Sequence, residues 1–392
     1  MNVLCADQHL SFHWTGVDDE QVNKLGKFAA SPHRDSTRHA IATNLYLAHR
    51  GSRWLSYSRD RNHYAAYRWY YGRGYSYNNV LSVVDEFLSS ELISEERARP
   101  GQLRWQSRIK PTPLFASLLG PVKRVVYAPL QLIRFKDSHG KLVRFHETAQ
   151  SRKLSRQVCR LNEALASVSI SLTSPDIRWD GGPVTIVEGQ VVYPTKVQGY
   201  RVFNASWHAG GRFYGPFWQN LTKLRRSQLA IDENPVAEFD FAQLHPRLIY
   251  AEFGDSPEGD AYSIPGFEHQ RSNVKVAWQI MLNAPSRRCA IPALAQELGG
   301  FRNQKQAVRL LDALEIRHKR IHPSFYTGAG LRLQRIDSDL MMKVEEKCMS
   351  SGIVALPVHD SFIVQEGRST SQLQEIMQRE LELVLRRLAF AA

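Results

Sequence analysis

A chain of 392 residues with 43% hydrophobic content has enough apolar material for a sizeable core, and its length suits two or three domains. A formal net charge of +13 favours a polyanionic partner, nucleic acid first, although a solvated basic surface gives the same balance. Cys5, Cys159, Cys289 and Cys348 stand far apart without a CxxC pair, which excludes a zinc ribbon and a disulfide framework; with no basic-then-apolar leader and no apolar run near the roughly 18 residues of a membrane span, a cytoplasmic protein without a membrane partner is expected.

From about Pro32 to Leu114 the pattern predicts a small helical module closed by a hairpin. Helical spacing links Ile41, Leu45 and Leu47, then Val80, Val83, Val84, Phe87 and Leu88, with Ser76 or Asn78 placed to cap the second run. LISEERARPGQLRWQSRIKP predicts two strands about a Pro100-Gly101 turn, carrying Arg97, Arg99, Arg104, Arg108 and Lys110. Helix, helix, basic hairpin is the order of a winged helix, so residues 1–120 are expected to be a winged-helix-like nucleic-acid-binding module. In that reading the Val80 helix sits in or near a groove, and Arg104, Arg108 and Lys110 touch phosphate. A hairpin packed against the rest of the chain gives the same pattern.

Residues 121–195 predict a second hairpin, Leu130 to Phe145, turning at Lys136-Asp-Ser-His-Gly140, and a thumb-like helix from Glu147 to Ala166. Leu154, Val158, Leu161 and Leu165 form its buried stripe. Arg152, Lys153, Arg156 and Arg160 either track a duplex backbone or face solvent. Ser174 to Thr195, rich in Gly, Pro and Asp, predicts an irregular connection.

The last half carries the chemistry. EFDFAQLHPRLIYA, Glu238 to Ala251, and ALPVHDSFIV, Ala355 to Val364, each place one aspartate where an apolar strand gives out. Nucleotidyl transfer needs two hard cations roughly 3.5–4 Å apart, so carboxylates must converge from separate rigid elements; Asp240 and Asp360 meet that demand. A lone aspartate after a strand is more often a helix cap. VAEFDF, bounded by Pro235, predicts a strand and LHPRLIYA the helix after it. IVALPVHDSFIV predicts a hairpin with His359-Asp360 at its tip, and Pro357 restricts its strand to an edge or a bulge.

These runs resemble the family A DNA polymerases. DFAQLHPRLIYA is similar to motif A, D-Y-S-Q-I-E-L-R and an apolar stretch, and VHDS to motif C, V-H-D-E. GGRFYGPFWQNL at Gly210 to Leu221 resembles the T-G-R-L-S…L-Q-N-I run, and LQRIDSDLMMKVEEKC at Leu333 to Cys348 the Q-G-T-A-A-D-L-M-K helix; EHQRSNVKVAWQIMLNA resembles the motif B helix, R-x-x-x-K. The similarity covers about Lys196 to the C-terminus, in the family's order, and nothing upstream resembles its exonuclease domains.

The resemblance implies an α+β right-hand polymerase: an antiparallel palm and helical fingers in residues 196–392, with a reduced thumb before them. Asp240, Asp360 and the carbonyl of Phe241 would ligate two Mg2+ ions, with Mn2+ able to substitute. Arg271 and Lys275, one helical turn apart, would meet the triphosphate. His245 stands where the family's glutamate closes the sugar pocket; Gln279 and Asn283 complete the nucleotide set, though they replace the family's aromatic and its Tyr-Gly. Arg212, Gln219, Asn220, Gln334 and His359 would hold the primer-template, while Arg247, Asp260 and Asp339 support the site. The implied activity is template-directed addition of dNTPs to a DNA primer, without proofreading, in replication or repair of a phage, plasmid or mobile element. Ser361 replaces the motif C glutamate, and HDS-F also occurs in phage single-subunit RNA polymerases, so a primase or RNA polymerase using NTPs or RNA is the rival. A non-catalytic replication initiator on a polymerase scaffold is another, weakened by the presence of both aspartates.

Overall fold

In the computed structural model, which describes residues 7–26, 32–99 and 106–391, helices and strands mix within each of two units. One unit takes Met1–Leu132, Leu165–Tyr200 and Gly215–Pro235; the other takes Ile133–Ala164, Arg201–Tyr214 and Val236–Ala392.

The first unit runs helix Pro32–Arg50, strand Leu55–Tyr57, helices Arg61–Tyr71 and Tyr77–Ser89, then strands Ile93–Glu96 and Ser107–Pro111. Two caps set the helix starts: Asp60 accepts from the Asn62 amide at 2.9 Å, and Ser76 from that of Asn79 at 3.3 Å, satisfying donors the first turn leaves open. Ile109 on Ser107–Pro111 lies opposite both Leu55 and Glu95, so this strand is central and antiparallel to its two neighbours; Gln8–His9 adds a parallel edge beside Leu55–Tyr57. Ile41, Leu45, Val80, Val84, Phe87 and Ile109 share one core. The hairpin tip, with Pro100-Gly101 and Arg104, lies outside the described residues. The segment expected to be irregular contains an antiparallel hairpin, Thr185–Val187 with Gln190–Val192, because the β-branched runs TIV and VV flank Glu188-Gly189, both at positive φ.

In the second unit the expected hairpin forms between Ile133–Lys136 and Leu142–Val143, with Asp137 accepting from the His139 and Lys141 amides. Strand Tyr200–Asn204 pairs parallel to Ile133–Lys136, and Ser206–Tyr214 forms the outer edge. Helix Ala149–Ala166 buries Leu154, Val158 and Leu161 and exposes Arg152, Lys153, Arg156 and Arg160, as its periodicity predicts.

The 22-residue helix Ala329–Ser350 packs on strand Ser206–Tyr214. Gly211 permits that approach: its φ is +83°, and a Cβ there would lie 2.9 Å from Ser338 Oγ and 3.0 Å from the Phe203 ring. Strand Asn234–Asp240 leads into helix Leu244–Ala251, and Ser361–Gln365 pairs antiparallel with its Val236–Asp240 part. Leu356–Val358 lies outermost, which suits Pro357, since proline has no N–H to donate. Helix Arg368–Ala391 buries Leu373, Met377, Leu381 and Val384. Among the described residues no helix is long and apolar enough to cross a membrane.

Candidate active site

Strand pairing brings the two aspartates together. Asp240, the last residue of its strand, is in register with Ser361, the residue after Asp360. The Phe241 amide donates to the Asp360 carbonyl at 3.4 Å, so both aspartates stand at the same end of neighbouring strands. The turn that presents Asp360 is made by His359 at φ +58°, its ring set edge-on to Tyr214 at 5.7 Å. Asp240 is exposed and Asp360 half-buried.

Glu238 joins this edge and was not anticipated. Residues two apart on a strand share a face, and Ser361 Oγ donates to Glu238 Oε1 at 2.9 Å. A third carboxylate thus stands beside Ser361 on the adjoining strand; the signal was the E-x-D spacing in EFDF.

Tyr262, the last residue of the GDAY run and given no role from the sequence, lies between the aspartates' charges and the cationic helix. Burial foremost, and the charges of Asp260, Asp360 and Asp240 against that of Arg271, push its phenol up to about 12. Its ring lies 5.2 Å from the Arg271 guanidinium carbon and 5.4 Å from Lys275 Nζ, within cation–π range. The segment is anchored from behind: His318 Nε2 reaches the Ala261 carbonyl at 2.9 Å and its Nδ1 meets the Tyr250 hydroxyl at 2.8 Å, while burial lowers the imidazole to about 4 and keeps it neutral.

Helix Arg271–Asn283 forms where motif B was expected and exposes Arg271 and Lys275 on one face. Arg271 Nε bonds Asp260 at 2.8 Å and does most to hold that carboxyl below its usual range, with the Lys275 charge adding to the effect; Lys275 itself makes no ion pair among the described residues. Lys275, Gln279 and Asn283 line a cavity of about 450 Å³ with Ala293 and Glu297.

His245 is buried, with Nε2 3.2 Å from Asp337 Oδ2; Arg212 Nη2 donates to the same oxygen at 2.8 Å. Asp337 is 1% exposed, and its carboxyl sits below the usual range because His245 and Arg212 overcome its burial. Sequence reasoning passed over Asp337, although an acid at a core position of the Leu333 helix was a signal. Asp339 turns away to a separate pair with Arg201 at 2.9 Å, a fully buried guanidinium that also donates to the Gly211 carbonyl at 2.6 Å.

The remaining expected contacts divide between the units. Arg212, Gln334 and His359 belong to the second. Gln219 and Asn220 belong to the first, on the turn Phe217–Asn220, where Gln219 Oε1 accepts from the Gly215 amide at 3.2 Å. Arg108 is engaged by Glu96 at 2.7 Å and Asp7 at 3.4 Å and stacks on Trp54 at 4.8 Å, with Lys110 Nζ 5.7 Å from the same ring.

Among the described residues no three His, Cys, Asp or Glu side chains gather closely enough to hold a metal alone. A two-carboxylate edge still fits magnesium, which is commonly bound by one or two carboxylates and completed by substrate phosphates. The oxygen donors at hand, Asp240, Asp360 and the Phe241 carbonyl, are hard ligands suited to Mg2+ or Mn2+.

No protein-family model matches the chain, and no curated protein matches it. Among solved structures it is similar to the POL domain of Pol1 from M. smegmatis, described in complex with DNA primer-template and dNTP. The TM-score is 0.34 and the identity 15%, covering 60% of this chain and 50% of that one. The chain therefore spans about half the length of that neighbour, and the weight of any assignment falls on this chain's own side chains.

Proposed function

We propose that the second unit adds deoxynucleotides to a primer 3′ end under the direction of a template. The observation that carries this reading is the register Asp240↔Ser361, which sets Asp240 and Asp360 at one strand end beside the Phe241 backbone. When bound there, two divalent cations supply acidity to the attacking hydroxyl and neutralise the triphosphate. The protein's part is positioning: Asp240 and Asp360 bind, Tyr262 holds Lys275 near them, and Lys275 balances charge on the departing pyrophosphate. Arg271, tethered to Asp260, steadies the same helix face. In this reading the Val236–Asp240 and Leu356–Gln365 strands are the palm and Arg271–Asn283 the fingers helix.

The first unit is winged-helix-like in this proposal. Its order of helix, strand, helix, helix, strand, strand, with the last strand central, supports that name. A primer-extension assay comparing dNTPs with NTPs, on DNA and RNA templates and with or without primer, tests the function. Extension with dNTPs from a primer is the expected result. Preferred use of NTPs, or chain starts without a primer, would replace it by the primase or RNA polymerase reading, and no synthesis under any condition would favour a DNA-binding initiator.

A further inference from the structure

The helix Tyr77–Ser89, by position the groove-reading helix of the first unit, carries no Lys or Arg. Its exposed or partly exposed positions include Asp85, 3.7 Å from Arg59, and Glu86, which Arg38 engages at 2.9 Å. Such a face offers phosphate no cation of its own. The preceding segment has the opposite character: between Arg53 and Arg73 stand five arginines and one acid, Asp60, interleaved with Trp54, Tyr57, Tyr64, Tyr67, Trp69, Tyr70 and Tyr71.

Folding turns that interleaving into a cavity of about 290 Å³, walled by Tyr57, His63, Tyr67, Tyr71 and Tyr75. The rings brace one another: Tyr71 and Tyr75 lie 4.5 Å apart, His63 and Tyr67 5.1 Å, and His63 Nε2 meets the Tyr75 hydroxyl at 2.8 Å. Burial lowers the pKa of the His63 imidazole against the opposing charge of Asp60. The polar residues Ser56, Ser58, His9 and Gln106 line the same space, the last at the root of the basic hairpin. Ser56 Oγ and His9 Nδ1 are 2.7 Å apart. On the same helix Arg61 and Arg68 line a second hollow with Tyr64, Tyr77 and Asn78, and Arg61 covers the Tyr77 ring at 5.1 Å.

We propose that this cavity captures an unpaired nucleobase of a single-stranded nucleic acid. Aromatic faces with neighbouring guanidinium groups are what base stacking and backbone neutralisation require together, and the hydroxyl, imidazole and amide groups suit a heterocycle's polar edge. A base within a duplex has both faces covered by its neighbours and its pairing edge occupied, so the cavity selects strands that are already open. The site lies outside the second unit and stands independently of the polymerase assignment.

The test is photocrosslinking of the full chain to iodouracil-substituted oligo(dT), with binding followed by fluorescence anisotropy and no nucleotide present. Crosslinks to Tyr67, Tyr71 or His63 are expected. Tyr67→Ala should weaken oligo(dT) binding about 5- to 100-fold, the worth of one stacked base, while an abasic strand of equal length binds wild type and variant alike. Gln106→Trp, which fills the cavity without removing a packed ring, should cause a similar loss even if Tyr67→Ala fails to fold. Oligo(U) in place of oligo(dT) distinguishes an RNA strand from a DNA strand as the natural source; a crosslink from either upholds the site. Crosslinks confined to other residues, equal losses for abasic and base-bearing strands, or duplex binding that Gln106→Trp weakens as much as single-strand binding would overturn it.

Discussion

At the residue scale the decisive contacts are few. Asp240→Asn and Asp360→Asn should each leave the strand register untouched, since they change a side chain at a strand end and not the backbone groups of the ladder. Each should reduce primer extension by orders of magnitude while DNA affinity, measured by anisotropy, stays near wild type, because backbone charge and not the metal edge dominates binding. Near-normal extension by either variant would remove the two-metal assignment. His245 is held by a partner: Asp337 anchors its Nε2, so the position of the imidazole, proposed to border the nucleotide, depends on a carboxylate three residues after Gln334. His245→Ala should raise ribonucleotide use relative to deoxynucleotide use, and Asp337→Asn should move the same ratio in the same direction. The ratio of kcat/KM for dNTP and NTP reads both. A shift in His245→Ala alone would leave Asp337 a purely structural partner of Arg212. His245 was legible as an occupant of the motif A position, whereas its tether was not, because a hydrogen bond across 92 residues has no local trace.

At the element scale, two helices carry separable roles. On Arg271–Asn283, Lys275→Ala should lower the incorporation rate far more than primer-template affinity, as single-turnover kinetics beside a binding titration will read. An equal loss of affinity with no loss of saturated rate would make that helix a duplex clamp. On Ala329–Ser350, Glu345 is fully buried, neither carboxylate oxygen has a hydrogen-bond partner among the described residues, and burial raises its pKa well above 4.5. The neighbouring Cys348 thiol is pushed up to about 12 by burial and by this glutamate. With the folded pKa above the unfolded one, the native state holds a proton the unfolded state has lost. Glu345's contribution is therefore fully present below about pH 4.5 and declines as pH rises toward the folded pKa. Glu345→Met should be more stable than wild type at neutral pH, with the difference in Tm shrinking as pH falls toward 4.5. An unchanged or lower Tm at neutral pH would mean that the carboxyl is held by a partner. The Glu345 helix itself was legible from its run of helix formers and its likeness to the segment before motif C. The hairpin Thr185–Val192 was masked by surrounding Gly, Pro and Asp, and the parallel pairing of Tyr200–Asn204 with Ile133–Lys136 joins strands too far apart in sequence for a turn to announce.

At the scale of the whole molecule, a net charge of +13 makes the proposed nucleic-acid binding one that should weaken steeply with salt. Arg68→Ala and Lys110→Ala remove two exposed cations of the first unit, and each should reduce the slope of log affinity against log salt by about one. An unchanged slope would assign their face to solvent. By itself the sequence determined the strand that ends at Asp240, the hairpin that presents Asp360, the helix that carries Arg271 and Lys275, and the apolar stripes of the helices, because local periodicity and residue chemistry specify these without reference to distant chain. Tertiary structure alone decided that Glu238 reaches Ser361, that Asp337 holds both His245 and Arg212, that Asp260 engages Arg271, and that scattered tyrosines wall one cavity. Each of these depends on which side chains share a face once strands have chosen partners and helices have packed, and that choice is made by burial summed over the whole core.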